Sequence, residues 1–212
     1  MSLAWQEALK SKDKFDYYLW LNDDTYLTKT AIMELLNTQR DDAEIIIGSV
    51  CDSITKHRAY GGAKFSNKFL TPFRYQVVEI NGEPQEIDTI NGNVVLVPQS
   101  VCIKIGDLDN TFEHGFADLE YSLRARKNGI TILLTAKHIA ECERNTLDYE
   151  ANLKLSLFKK ILNLFSRKAK PPRSWFRICY KYGGIFWPLH FFVGYIKSIF
   201  KIVFEHNYVS KK

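Results

Sequence analysis

The sequence has no Cys-x-x-Cys or Cys-x-x-His pair, and its four cysteines, Cys51, Cys102, Cys142 and Cys179, stand far apart. That spacing speaks against a zinc module and predicts reduced, partly buried thiols in a cytosolic protein. No basic stretch runs into an apolar one near Met1, so no secretory leader is expected. No apolar run reaches the roughly 20 residues that a spanning helix needs. The longest uncharged stretch, residues 183–196, is 14 residues long and is broken by glycine, Pro188 and His190. Internal repeats and low-complexity tracts are absent too. With 46% hydrophobic residues, the 212-residue chain has enough apolar side chains for a true core.

Charge is unevenly shared. Residues 146–212 hold 13 Lys/Arg against 3 Asp/Glu, while residues 1–145 hold 16 against 21, so a net +10 tail follows a net −5 body. A basic, aromatic tail calls for an anionic surface. Because the acidic body would repel a nucleic-acid backbone, a membrane ranks ahead of RNA. The predicted arrangement is peripheral, an amphipathic segment lying among lipid headgroups at the inner face of a cytoplasmic membrane. The alternative is an apolar helix that packs on the body or on a second copy of the chain.

Two segments carry the chemistry. The first, residues 15–27 (FDYYLWLNDDTYL), is an apolar run that stops at Asp23-Asp24. Near-continuous apolar character predicts a strand covered on both faces in a mostly parallel sheet, ending in carboxylates at the sheet's rim. Adjacent carboxylates there suit a hard cation, Mg²⁺ or Mn²⁺, and equally suit a turn into the following helix. The second, residues 112–129 (FEHGFADLEYSLRARKNG), places Asp118 at the start of a helix over 118–128 that Gly129 ends. Asp118 fits a general base facing a cleft, or an N-cap, or both. Glu120 pairs in this reading with Arg124 on the helix surface. A third, polar stretch, Asp88-Thr-Ile-Asn91-Gly92-Asn93, fits sugar hydrogen bonding or a bend. His57, His138, His190 and His206 lack ligand spacing, although His138, after a strand end, is a further metal candidate.

The remaining periodicities predict a helix over 28–39, capped by Thr28 or Thr30, with Ile32, Leu35 and Leu36 inward. Strands are expected over 44–50 and 59–65, the latter bent at Gly61-Gly62. Strands over 75–80 and 87–97 read as a hairpin turning at Asn81-Gly82. A short helix over 100–105, a strand over 130–134, an amphipathic helix over 148–166 and a linker at Lys170-Pro171-Pro172-Arg173 complete the pattern. The class is α/β with a mixed sheet and a helical C-terminal extension, divided into a body, 1–145, and a tail, 146–212.

Taken together, LWLNDDTYL, GSVCDSITKHRAYGG, DTINGNVVLVP, HGFADLEYSLRARKNG with ECERN, and the tail PPRSWFRICYKYGGIFWPLHFF resemble family 2 glycosyltransferases of the GT-A fold. The resemblance runs from about residue 15 to 145 and begins after the family's opening strand and nucleoside-binding loops. It implies an inverting transfer of sugar from a nucleotide-sugar donor to a glycan or lipid-linked acceptor in polysaccharide synthesis. It also implies that Asp24, with Asp23, holds Mg²⁺ or Mn²⁺, that Asp118 is the catalytic base, and that Asp88, Asn91, Gly92, His114 and Glu120 line the substrate. Asn22 stands where the family places an acid and Ala117 where it often has Glu. Cys142 lies near the place of a customary histidine. The competing expectation is a truncated, non-catalytic piece that self-associates through its tail or its open sheet edge, or a membrane-bound interaction module.

Overall fold

The computed structural model describes residues 2–10, 15–66, 69–112, 115–143 and 155–209. The chain divides into two units: 1–65 with 75–110 and 117–144, and 66–74 with 111–116 and 145–212.

In the first unit the elements run α1 (Ser2–Lys10), β1 (Tyr17–Leu21), β2 (Thr25–Leu27), α2 (Ala31–Thr38), β3 (Ile45–Asp52), β4 (Arg58–Tyr60) and β5 (Ala63–Phe65). There follow β6 (Tyr75–Val77), β7 (Gln85–Ile87), β8 (Val94–Pro98), α3 (Gln99–Ile105), α4 (Gly115–Lys127, in this unit from Ala117 on) and β9 (Ile132–Cys142). The main sheet has the order β1-β8-β3-β9-β2, with β4 paired to β3 and β7 to β9. The class is α/β with a mixed sheet, as the sequence predicts. The sheet is not mostly parallel, however: β3–β9 is parallel and the other pairings are antiparallel.

Strand alternation divides the core into two layers. Ile45, Ile47, Val95, Val97, Ile132 and Leu134 face one way, onto Trp5, Trp20, Tyr121 and Ala125. Ile46, Val94, Leu96 and Leu133, one residue out of step, face Ala31 and Leu35 of α2. A single-residue slip in any of these strands would exchange the two layers, so the packing pins the register. Gly48 is needed where the second layer is tightest: a Cβ there would lie 2.8 Å from both Ile139 Cδ1 and Val94 Cγ1. Gly48→Ala should therefore cost about 1–3 kcal/mol, read as a lower urea midpoint at unchanged slope.

Several local expectations change, each for a pairing reason. β1 lies at the end of the strand order, and of its residues Trp20 alone is buried, so it is not covered on both faces. The 75–80/87–97 hairpin does not form, because β6 pairs with β5, β7 with β9, and β8 with β1 and β3. The chain still turns at Gly82, where φ is +89°. The single strand over 87–97 separates into β7 and β8, freeing 88–93 as a loop. α2 begins at Ala31 and Thr30 makes no capping bond. Leu35 faces the core, whereas Ile32 and Leu36 are exposed.

The second unit holds α5 (Leu157–Leu164), α6 (Pro172–Tyr182), a 3₁₀ turn (Gly184–Phe186) and α7 (Trp187–Val209). Of the expected helix over 148–166, residues 148–154 lie outside the described residues. Pro171 precedes α6 and Pro172 opens it, so the linker prolines start a helix. α6 and α7 approach closely at Gly194, where a Cβ would be 2.5 Å from the Trp175 ring. Lys170 donates to Gly194 O and Ser198 Oγ, each at 3.1 Å, with its ammonium 4.5 Å from the Trp175 ring centroid. Burial lowers its pKa, and the aromatic faces and acceptors keep the cation tolerable. All four cysteines are free and buried, and burial pushes the Cys102 and Cys179 thiols up to about 12.

Candidate functional site

The acid pair sits on the turn from β1 into β2. Thr25 N–H donates to Asn22 O at 3.2 Å, closing the turn and leaving Asp23 and Asp24 exposed at its tip. Asn22 fastens the turn to the end of β8: its backbone N–H donates to Asn93 O and its Nδ2 to Asn93 Oδ1, both at 3.1 Å. The β1–β8 ladder ends one residue earlier, at Leu21 opposite Val94. Beyond Asp24, Thr25 is paired with Cys142 at the end of β9. The Cys142 thiol is held above its ordinary range, chiefly by burial and then by the neighbouring Asp24 carboxylate. Cys142 is thus a neutral thiol beside the acid pair.

Asp118 comes to the same rim from α4. α4 starts at Gly115, so Asp118 lies within its first turn and is not the cap. Its carboxylate Oδ2 accepts the Gly92 N–H at 3.0 Å, and a Cβ on Gly92 would be 3.1 Å from that same oxygen. A side chain at position 92 would press directly on the carboxylate. One turn along α4, Ser122 Oγ accepts the Ile90 N–H and donates to Asp118 O, both at 2.7 Å. Gly92 and Ser122 therefore hold the 88–93 loop against α4. Burial pushes the Asp118 carboxyl up to about 6, and the Gly92 bond partly offsets that rise.

Chain continuity from Asp24 back to Asn22, the Asn22–Asn93 bonds, and the Gly92 N–H donated to Asp118 together join the acid pair to the half-buried carboxyl at one end of the sheet. Asn93 belongs to the polar stretch that the sequence marks for sugar hydrogen bonding or a bend, and here its side chain accepts from Asn22. Ser122 leaves no sequence trace beyond a small polar residue on a helix face.

The other sequence candidates fall in different places. Asn91 is in the loop beside Gly92, and its Oδ1 is buried without a hydrogen-bond partner. Asp88 is occupied at both oxygens, accepting the Phe65 N–H at 2.7 Å and pairing with Arg126 Nε at 3.1 Å. Glu120 is fully buried and pairs with Arg124 at 2.8 Å, so the predicted ion pair forms inside the unit instead of on its surface. His114 lies outside the described residues. His138 bonds Ser49 Oγ at 2.9 Å, and burial lowers its pKa. His190 is buried among Phe69 and Phe73.

Among the described residues no group of three or more His, Cys, Asp or Glu gathers to hold a metal ion. Asp23 and Asp24 with the Asn22 amide supply hard oxygen donors for part of a coordination sphere. That partial set suits a cation such as Mg²⁺, which commonly binds through one or two carboxylates and completes its shell with phosphate oxygens and water.

No family model and no curated protein matches the chain. Among solved structures it is similar to the crystal structure of GalNAc-T7 with UDP, GalNAc and Mn²⁺, at 12% identity and a TM-score of 0.49. The match covers 66% of this chain and 29% of that one, so the chain spans under a third of that protein's length. A likeness so distant carries no functional weight.

Proposed function

We propose that this chain is the acceptor-activating part of a GT-A-type glycosyltransferase that uses an inverting mechanism. The observation that carries the reading is the half-buried Asp118 carboxyl, linked through Gly92, Asn93 and Asn22 to the exposed Asp23-Asp24 pair at one rim of the sheet. With a pKa of about 6, Asp118 is ionised at neutral pH yet basic enough to share a proton. In the proposed reaction an acceptor hydroxyl oxygen bonds to the anomeric carbon as the bond from that carbon to the diphosphate breaks. The hydroxyl proton passes to Asp118. Asp24, with Asp23, would hold Mg²⁺ or Mn²⁺, which when bound offsets the charge of the departing nucleoside diphosphate.

Calorimetric titration with UDP or GDP in the presence of Mn²⁺ tests the donor side. Binding heat is expected from the wild-type chain through metal and diphosphate alone, since the nucleoside-binding loops are not part of the resemblance, with affinity at least about tenfold weaker for Asp24→Ala, a loss of roughly 1.4 kcal/mol or more. A wild-type chain that gives no heat supports the second reading, a non-catalytic piece. β1 favours that reading: it pairs with β8 on one side and, among the described residues, with no strand on the other, leaving Leu19 and Leu21 exposed.

A further inference from the structure

A helix packed on one side against its own protein ordinarily turns a polar face to water. α7 does the reverse. Toward α5 and α6 it offers Phe191 and Tyr195: Tyr195 stacks on Phe165 with ring centroids 5.2 Å apart, and Phe191 O accepts the Trp175 indole N–H at 3.1 Å. Away from them, Leu189, Phe192, Ile196, Phe200 and Phe204 recur every three or four residues and so share one face. Their exposure is large: 62% for Phe192, 51% for Ile196, 72% for Phe200 and 74% for Phe204. A continuous apolar stripe of this kind marks an interaction surface, since single exposed apolar residues are common but aligned ones are not.

Charge says what covers it. Residues 155–209 contain ten Lys/Arg and a single acidic residue, Glu205. Lys197 and Lys201, both exposed, border the stripe one turn apart. A second copy would bring two such basic surfaces together, which like-charge repulsion opposes. RNA would satisfy the lysines and leave the aliphatic and phenylalanine side chains without a role. An anionic bilayer satisfies both, with the stripe among acyl chains and the lysines at phosphate level. Among the described residues no helix is long and apolar enough to cross a membrane, which leaves the plane of the interface.

We infer that α7 is an in-plane membrane anchor that seats its Leu189–Phe204 face in an anionic lipid surface. The test is co-flotation of the full chain with vesicles of phosphatidylcholine, alone or mixed with phosphatidylglycerol. Binding to the mixed vesicles should weaken as salt rises. Phe200→Ser with Phe204→Ser should weaken it at least about tenfold, because two buried phenylalanines are lost. Lys197→Ala and Lys201→Ala should each cost about fivefold on anionic vesicles and little on neutral ones. All four side chains are exposed, so unchanged thermal unfolding should accompany each variant. Absence of co-flotation by the wild-type chain overturns the inference. So does a concentration-dependent dimer that the phenylalanine changes dissolve, which would assign the stripe to a second copy. The readout uses no sugar transfer, so it stands or falls separately from the reading of Asp118.

Discussion

Replacing Asp118 with Asn is expected to make the protein more stable at neutral pH while removing its proposed chemistry. The Asp118 carboxyl titrates near 6 in the folded chain, against about 4 for an ordinary aspartate. Burial penalises its ionised form, so its contribution to stability is fully present below about pH 4 and is lost as pH rises through 6. Moving the carboxyl from its ordinary range to about 6 is worth roughly 3 kcal/mol at pH 8. Asn is nearly isosteric, keeps an oxygen to accept the Gly92 N–H, and bears no charge. Thermal unfolding of Asp118→Asn should therefore exceed wild type by about 6–10 °C at pH 8, with the gain shrinking to nothing by pH 4. Transfer should fall at least about a hundredfold, and wild-type kcat/KM should decline as pH drops below about 6. Equal unfolding temperatures at pH 8 would show that the carboxyl is hydrated, and retained transfer would remove it as the base.

The largest loss of stability is expected at Arg124. Its guanidinium donates to Glu120 Oε2 at 2.8 Å, to Asp107 O at 2.7 Å and to Ile105 O, tying α4 to the C-terminal end of α3. Glu120 has no exposed surface. Arg124→Met keeps the aliphatic bulk but removes this counter-ion from that carboxylate and this donor from two carbonyls. Breaking a buried pair from one side costs about 3–5 kcal/mol, a large share of the 5–15 kcal/mol typical of a folded protein. Urea unfolding should show that drop, and Glu120→Gln in the same chain should restore at least half of it by removing the stranded charge. A cost below about 1 kcal/mol would mean that water reaches the pair. Ser122 and Asp118 stand on the same helix, so the damage should reach the 88–93 loop as well.

Much of the fold was legible in short segments. Gly106 and Gly129, both at positive φ, end α3 and α4 where the sequence places those stops. The apolar run before Asn22 is a strand that delivers two carboxylates to a sheet end, and the break at Gly61-Gly62 separates β4 from β5 as a bend there implies. What misled was direction and partnership. Residues 75–80 and 87–97 read as a hairpin because a turn signal stands between two strand-like stretches, yet each strand found a different partner across the sheet. Asp118 read as a cap because helix propensity alone does not reveal that Gly115–Ala117 continue the helix backwards.

The site divides in the same way. Residue type and local spacing single out Asp23, Asp24 and Asp118 as candidates, because carboxylates at strand and helix ends are visible in a linear pattern. Their linkage through Asn22, Asn93 and Gly92 was not visible, since hydrogen bonds across 71 and 26 residues of sequence depend on strand register. Nor was the contrast among the acids. Asp24 is exposed, Asp88 is tied by a backbone N–H and an arginine, Glu120 is sealed inside, and Asp118 is desolvated enough to titrate near neutrality. Periodicity set the strands and helices because it acts over a few residues. Desolvation and ion pairing come from neighbours distant in the chain, so packing alone assigned each carboxylate its burial and its partners.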